Sequence, residues 1–276
     1  MRGERYTHGH HPSVLRSHRW RTAENSAAYL LDRLGPGQDL LDVGCGPGTI
    51  TRDLARLVAP GMVVGIDAAP TVIAEASAEA SGGNVSFRVG DVYTLPFADG
   101  SFDIVHAHQV LQHLAEPVAA LREMRRVLRP GGLVAVRDAD FAGFIWAPSD
   151  RLLDRWMALY HAVTARNGAE ADAGRRLLAW VRAAGLADPV MTSATWTFAD
   201  PDTRAWWGQL WAERIELSTF AQQAISYGLS DPLELSEIAQ AFQRWARCPD
   251  ATFIVPHGEV IAFRKLANPS VGAQTT

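Results

Sequence analysis

The sequence predicts an α/β protein built on a doubly wound, mostly parallel sheet of seven strands. Three observations lead to this fold class. Short apolar runs alternate five times with helical patterns between residues 40 and 140. A glycine-rich loop follows the first apolar run, and acidic residues follow the first, second, third and fifth. Because ligands of such sheets bind at the carboxyl ends of the strands, we expect one ligand crevice there.

Length, composition and charge narrow the class of protein. The chain has 276 residues, of which 47% are hydrophobic and 20% are charged, as in globular domains. The net charge is −4 and no basic stripe is present, which argues against nucleic acid or an anionic membrane as the main partner. Only Cys45 and Cys248 are present, and no apolar run has the length of a leader or a membrane span. We therefore expect a cytoplasmic protein without membrane insertion, as a monomer or homodimer.

The first 21 residues combine histidine and arginine with aromatic side chains. Tyr6 and Trp20 interleave with four histidines, a mixture that favours a half-buried lid over a free tail. His8, His10 and His11 are close enough to suggest a metal site. Because no cysteine or acidic pair completes a recognisable ligand spacing, we expect no metal. A helix is predicted over 22–34 and is ended by a Gly-Pro-Gly sequence.

The glycine-rich loop lies in the stretch LLDVGCGPGTIT, residues 40–51. A short strand precedes Gly44, Gly46 and Gly48, and a helix is predicted over 49–58. A dinucleotide fingerprint requires a third glycine at position 49, which is threonine here. Asp42, two residues before the first glycine, suits a cationic amino group better than a pyrophosphate. This spacing argues against a nicotinamide-dependent oxidoreductase, which remains an alternative on the same fold.

Further polar residues follow the next strands. Asp67 ends the second predicted strand, where sheets of this kind hold a ribose diol. Asp91 follows the third, and its carboxylate would accept a hydrogen bond from an exocyclic amine such as that of adenine. His108 follows the fourth strand, and Asp138 follows the fifth. Together these positions predict one nucleoside-binding crevice.

The second half of the chain extends this core. Helices are predicted over 149–163 and 173–184, and an antiparallel strand pair over 187–197 and 252–263. A helical insertion, residues 201–247, separates the last two strands. Its tryptophans have two interpretations, a hydrophobic core or an apolar roof over the crevice.

Residues 40–140 resemble the class I S-adenosylmethionine (SAM) dependent methyltransferases, most closely the ubiquinone/menaquinone-biosynthesis (UbiE-like) type. The resemblance is carried by LDVGCGPGT, VVGID, VGDVYTLPFADGSFDIV, HQVLQHL and LREMRRVLRPGG. It implies SAM as cofactor and a Rossmann-like methyltransferase fold. The implied cofactor contacts are Gly44, Gly46 and Gly48 beneath the methionine part, Asp42 near its amino group, Asp67 on the ribose, Asp91 and the Val92 backbone on adenine, and His108 at the methionine moiety.

The resemblance also implies an activity, the transfer of a methyl group to a small-molecule acceptor by in-line displacement. The acceptor is expected to be a secondary metabolite or a quinone-like compound. The candidate catalytic residues are His113 and Asp138. The candidate substrate-binding residues are Tyr6, His10, Trp207 and Trp211. A SAM-binding subunit without catalytic activity is a further alternative.

The expected organisation of the chain has four parts. Residues 1–38 form an N-terminal lid and helix, and residues 39–200 form the SAM-binding core. Residues 201–247 form a helical cap, and residues 248–276 hold the last core strand and a tail.

Overall fold

The described residues of this computed structural model, 6, 7, 9, 11–80 and 82–266, form an eight-stranded sheet with helices on both faces. The strands are β1 (Leu40–Val43), β2 (Val63–Asp67), β3 (Val85–Val89), β4 (Phe102–His108), β5 (Leu128–Ala139), β6 (Ile145–Ala147), β7 (Ala187–Phe198) and β8 (Thr252–Phe263). The order is β3-β2-β1-β4-β5-β8-β6, and β7 pairs with β8. Strands β1 to β5 are parallel, whereas β8 is antiparallel to β5, β6 and β7. The α/β class and the antiparallel pair are confirmed.

The predicted count of seven strands is wrong by one short strand. Strand β6 pairs with β8 at residues that also pair with β7, so β6 lies on the same edge of β8 as β5. Three residues are too few to show a period-2 pattern, so no sequence signal marks β6.

Alternate residues of the central strands face two separate hydrophobic cores. Leu40 and Ile104 pack on one face, against the helices around residues 23–31 and 49–58. Leu41 and Val105 pack on the other, against the helices around residues 117–127 and 173–183. Strands buried on both faces read as continuous apolar runs, which is the pattern that the sequence shows.

The helices around the sheet begin and end close to the predicted bounds, with two exceptions. They are α1 (Pro12–Arg19), α2 (Ala23–Ser26), α3 (Ala28–Leu31), α4 (Thr49–Val58), α5 (Pro70–Ala78), α6 (Pro117–Val127), α7 (Arg151–Arg166) and α8 (Ala173–Ala183). The single helix predicted over 22–34 is divided into α2 and α3, because the fully buried Ala27 leaves the helical conformation at φ −138°. Helix α1 was not predicted, since its sequence is polar and lacks a long apolar stripe.

Three helices lie between β7 and β8, in the region of the predicted insertion. They are α9 (Pro201–Leu217), α10 (Thr219–Ser226) and α11 (Pro232–Arg247). With α7 they enclose a third core rich in aromatic rings. Trp156 lies edge-on to Trp211 at 4.5 Å, and Trp207 stacks on Phe198 at 4.2 Å between ring centroids. Aromatic pairs of this kind favour a rigid packing arrangement.

Helix α1 connects this helical region to the sheet. Arg16 forms an ion pair with Glu213 of α9, and Arg19 forms one with Glu75 of α5. Val14 is fully buried on the same helix. The described part of the N-terminal segment is therefore packed against the rest of the protein rather than extended from it.

Candidate active site

The glycine loop after β1 depends on backbone conformations that favour glycine. Gly44, Gly46 and Gly48 have φ of 67°, 54° and 76°, in the left-handed region. A Cβ at Gly44 would collide with the side chain of Val110. Gly44 and Gly46 line a cavity above the sheet.

Gly48 has a different surrounding from the one expected. It precedes α4 and does not line the cavity, and a Cβ there would collide with the Phe87 ring. Glycine is required at this position because φ is positive and because the residue, at the start of α4, packs closely against β3.

Asp42 is held by two side chains beneath the loop. One carboxylate oxygen accepts a hydrogen bond from His106 Nδ1 at 2.7 Å, and the other accepts one from the Thr51 hydroxyl at 2.6 Å. These bonds connect β1 with β4 and α4. Asp42 also lines the cavity and is 3% exposed, so it presents negative charge to the cavity from a fixed position.

Asp67 and Asp91 occupy the ends of the next two strands. Asp67 accepts the N–H of Gly46 at 3.1 Å and the N–H of Ala69 at 3.0 Å, one with each oxygen. Asp91 accepts the N–H of Tyr93 at 2.9 Å through Oδ1. Both carboxylates line the cavity, and an ionised carboxylate has about four acceptor sites. Each therefore keeps acceptor capacity for hydroxyl or amine donors of a ligand.

The cavity has a volume of about 380 Å³, within the range of small-molecule sites. It lies between the strand ends, α1 and α9. Most of the predicted site residues line it: Tyr6, Asp42, Gly44, Gly46, Asp67, Asp91, Val92, His108, His113, Trp207 and Trp211. His10 lies outside the described residues, and Gly48 and Asp138 do not line the cavity. Both tryptophans also belong to the aromatic core. The insertion therefore forms a hydrophobic core and, at the same time, an apolar wall of the cavity.

Two of the three described histidines on the cavity wall, His108 and His113, are poor proton acceptors. Burial, with the nearby cations of Arg21 and Arg137, holds the pKa of His108 well below its usual range. Burial, with Arg21 and Arg214, lowers the pKa of His113 to about 3. Both imidazoles are neutral at pH 7, and their conjugate acids are strongly disfavoured. His108 and His113 therefore suit positioning of a nucleophile better than removal of its proton.

Asp138 lies behind the cavity wall. Its Oδ1 accepts the N–H of Gln112 at 3.1 Å, and Gln112 Oε1 accepts the N–H of Ala139 at 3.0 Å. These bonds hold the turn Leu111–His113, which carries His113. The carboxyl is fully buried, and burial raises its pKa to about 8. A role in positioning His113 fits this geometry better than contact with a substrate.

Replacing Asp138 with asparagine is expected to flatten part of the pH dependence of stability. The carboxyl titrates near pH 4 in the unfolded chain and at about 8 in the native protein. Between these values the native state binds more protons, so its free energy of unfolding falls as pH rises. Asparagine keeps an oxygen acceptor for Gln112 and does not titrate. Urea unfolding of both proteins at pH 5 and pH 8.5 measures the difference, with the exposed Asp99→Asn as control. Equal pH dependence in wild type and Asp138→Asn would show that the pKa is not raised.

Two arginines that the sequence did not reveal also line the cavity. Arg21 donates a hydrogen bond to Gln109 Oε1 at 2.6 Å, and Gln109 Nε2 donates to His257 Nε2 at 2.9 Å. Gln109 has a φ of 54°, which is unusual for a residue other than glycine and marks strain at a functional position. Arg214 lies on α9 and is 5% exposed. Gln109 belongs to HQVLQHL and could have been singled out there, whereas nothing local marks the arginines.

The metal prediction concerns residues that are only partly described. Over the described ranges, no group of three or more His, Cys, Asp or Glu side chains could hold a metal ion. His8 and His10 lie outside those ranges. Within the same ranges, no helix has the length and apolar character to cross a membrane.

Comparison with known proteins identifies the family. The methyltransferase domain family matches residues 41–136. An uncharacterized methyltransferase of Schizosaccharomyces pombe is 34% identical over 267 residues, covering 93% of this chain and 95% of its own. A probable methyltransferase of Aspergillus luteorubrus, ltbC, is 30% identical over 280 residues, covering 94% and 97%. The structure of the [4+2]-cyclase SpnF shares the fold, with a TM-score of 0.52 and 24% identity over 92% of this chain and 81% of that one.

The chain therefore belongs to the class I SAM-dependent methyltransferases. It is an enzyme of that class with SAM as its cofactor, and the predicted family is confirmed at this level. Family membership also removes the oxidoreductase alternative that the missing glycine at position 49 had already disfavoured.

Proposed function

We propose that this enzyme methylates a small organic acceptor that is enclosed between the sheet and the helices α9 to α11. One observation carries the proposal: a single cavity reaches from Asp67 and Asp91 at the strand ends to Trp207 and Trp211 on α9. The first pair suits a nucleoside, and the second pair suits an apolar or aromatic acceptor. A secondary metabolite fits this wall, and so does a quinone-like compound of the kind that the resemblance to UbiE-like enzymes implies.

The polar residues of the cavity fit SAM group by group. Asp67 would accept the two ribose hydroxyls, and Asp91 with the Val92 backbone would bind the adenine edge. Gly44 and Gly46, which have no side chains, would allow the methionine part to approach the loop. Asp42 carries the negative charge suited to the amino group of that part.

Arg21 completes this set as the partner of the cofactor carboxylate. Its hydrogen bond to Gln109 places it next to the end of β4, beside His108. Its guanidinium carbon lies 5.7 Å from the centre of the Trp196 ring, which limits its movement. A guanidinium binds a carboxylate with two parallel hydrogen bonds, and this is the strongest recognition available to it.

The protein contributes position and exclusion of water to the reaction. When bound, SAM supplies an electrophilic methyl group on a sulfonium, which an acceptor atom attacks in line. His113 is neutral and lies edge-on to Tyr6, with 4.8 Å between the rings. We propose that these rings orient the acceptor and that Asp138 holds the turn that carries His113. Residues 1–38 would form the lid, 39–200 the core, 201–247 the cap and 248–276 the last strand and tail.

A methyl-transfer assay tests this function. The purified enzyme is incubated with SAM carrying a labelled methyl group and a panel of phenols, quinols and hydroxylated aromatic acids. We expect labelled product together with an equal amount of S-adenosylhomocysteine (SAH) for at least one class. Asp67→Ala is the matched variant that should lose most of this turnover at low SAM.

Two results would contradict the proposal. Tight SAM binding without SAH formation across the panel would favour a SAM-binding subunit that does not transfer methyl groups. Conversion of an acceptor without gain of the label would indicate that the fold carries out another reaction, as in the [4+2]-cyclase SpnF.

A further inference from the structure

We propose that the acceptor carries an anionic oxygen on a planar apolar ring system, and that Arg214 binds this oxygen. The anionic oxygen belongs to a carboxylate or to an ionised hydroxyl group, which share this chemistry. The inference rests on the proposed methyl transfer to a small acceptor and specifies the class of that acceptor.

Arg214 carries a buried positive charge that has no counterion within the described residues. Arg214 is 5% exposed, and its Nη2 donates to Ser17 Oγ at 2.9 Å. Across the described ranges, no carboxylate forms an ion pair with Arg214, and its Nε has no hydrogen-bond partner. The neighbouring acid, Glu213, is turned toward Arg16 instead. A buried cation without a counterion is costly, so a ligand that supplies the counterion is favoured.

The free N–H donors of Arg214 point in a direction that the neighbouring residues determine. A guanidinium has five N–H donors in a plane, and Ser17 Oγ and the Ser13 carbonyl oxygen accept only those of Nη2. The guanidinium carbon lies 4.7 Å from the centre of the Trp211 ring, which fixes the plane of the group. Arg214 and Trp211 both line the cavity, so the remaining donors are presented to an occupant of the cavity.

Arg214 lies on a different element from the residues that we propose for the cofactor. Arg21 is connected through Gln109 to the end of β4, where the methionine part is proposed to lie. Arg214 is on α9, outside residues 41–136 that the methyltransferase domain family matches. The three acids that line the cavity, Asp42, Asp67 and Asp91, are on the strand ends. Arg214 therefore faces the acceptor rather than the nucleoside.

Aromatic and apolar side chains line the part of the cavity near Arg214. Phe141 and Phe144 stack with 4.4 Å between their centroids, and both line the cavity with Trp207 and Val255. Tyr160 covers the other face of Phe141 at 3.9 Å between centroids, so Phe141 presents its ring edge to the cavity, and aromatic edges pack favourably against the face of a planar ring. An anionic acceptor would not need a base, and neither His113 nor Tyr6 is a good one: burial lowers the pKa of His113 to about 3 and raises that of Tyr6 to about 12.

Calorimetry with three probes tests the inference. Wild-type enzyme saturated with SAH is titrated at pH 7.5 with 2-naphthoate, 2,4-dinitro-1-naphtholate and the neutral 2-naphthamide. We expect at least one anion to bind about 10- to 100-fold more tightly than the amide, as for a hydrogen bond to a charged group. The carboxylate and naphtholate arms distinguish the two sources of the anionic oxygen.

Variants of α9 assign the preference to Arg214. Arg214→Gln should abolish the preference for the anion and leave SAH affinity unchanged, whereas Arg214→Lys should keep part of the preference. Glu213→Gln alters the adjacent charge, which faces Arg16, and should keep all of it. Thermal unfolding of each variant shows whether it is folded.

The outcomes separate the two proposals. If SAH binds wild type but neither anion is preferred over the amide, the inference is wrong and the proposed function stands. Retention of the full preference by Arg214→Gln would also overturn it. If SAH does not bind wild type, the proposed function itself fails. The wild-type comparison decides the inference even if Arg214→Gln does not fold.

Discussion

Replacing Asp67 with alanine is expected to weaken SAM binding by roughly 1–3 kcal/mol, or about 5- to 150-fold in Kd. The substitution removes the carboxylate that we propose for the ribose hydroxyls. It also removes the acceptor of the Gly46 N–H, which holds the glycine loop to the end of β2. Calorimetric titration with SAH measures the loss directly.

A surface acid provides the control for this experiment. Glu79 pairs with Arg52 and its side chain is 46% exposed, outside the cavity. Glu79→Ala should bind SAH like wild type. Unchanged affinity in Asp67→Ala would show that the ribose is not bound by this carboxylate.

Deletion of residues 1–21 is expected to leave a folded core with turnover reduced at least about 10-fold, since a charged hydrogen-bond partner is lost. The deletion removes Arg21 and the cavity contacts of Ser17 and His18. It also removes Trp20, which lies 5.1 Å from Trp196 between ring centroids. Opening this side would admit water to the sulfonium and release the acceptor.

Hydrogen exchange distinguishes a lid from a surface arm. Amides of residues 11–21 should exchange more slowly when SAH and an acceptor are bound than in the free enzyme. Arg16→Ala, which removes only the ion pair to Glu213, should cost less turnover than the deletion. Free exchange in every state, together with normal turnover of the truncated enzyme, would contradict the lid.

The side of the site that we propose for the cofactor can be predicted from sequence because its signals are local. Asp42, Asp67 and Asp91 each follow an apolar run, and the parallel topology brings strand ends together without further information. The glycine loop was recognised from its spacing alone. Gly48 shows the limit of this reasoning, since its contact with Phe87 on β3 depends on a residue far along the chain.

The side that we propose for the acceptor is harder to predict because it depends on long-range contacts. Arg214 reaches the cavity only because α9 packs against α1, which brings it to Ser17. Asp138 lies at the carboxyl end of β5, close to a strand end like the other acids, yet its side chain turns to Gln112 instead of the cavity. Neither orientation leaves a pattern in the sequence, because both follow from tertiary packing.

We propose that one cavity holds the cofactor at the strand ends and the acceptor beneath α9. A crystal structure of the enzyme with SAH tests it most directly. We expect the ribose hydroxyls on Asp67, the adenine at Asp91 and Val92, and the cofactor carboxylate on Arg21. The sulfur should point toward Trp207 and Trp211, with Arg214 free of the cofactor. SAH bound elsewhere, or with its carboxylate on Arg214, would show that the proposed placement of cofactor and acceptor is wrong.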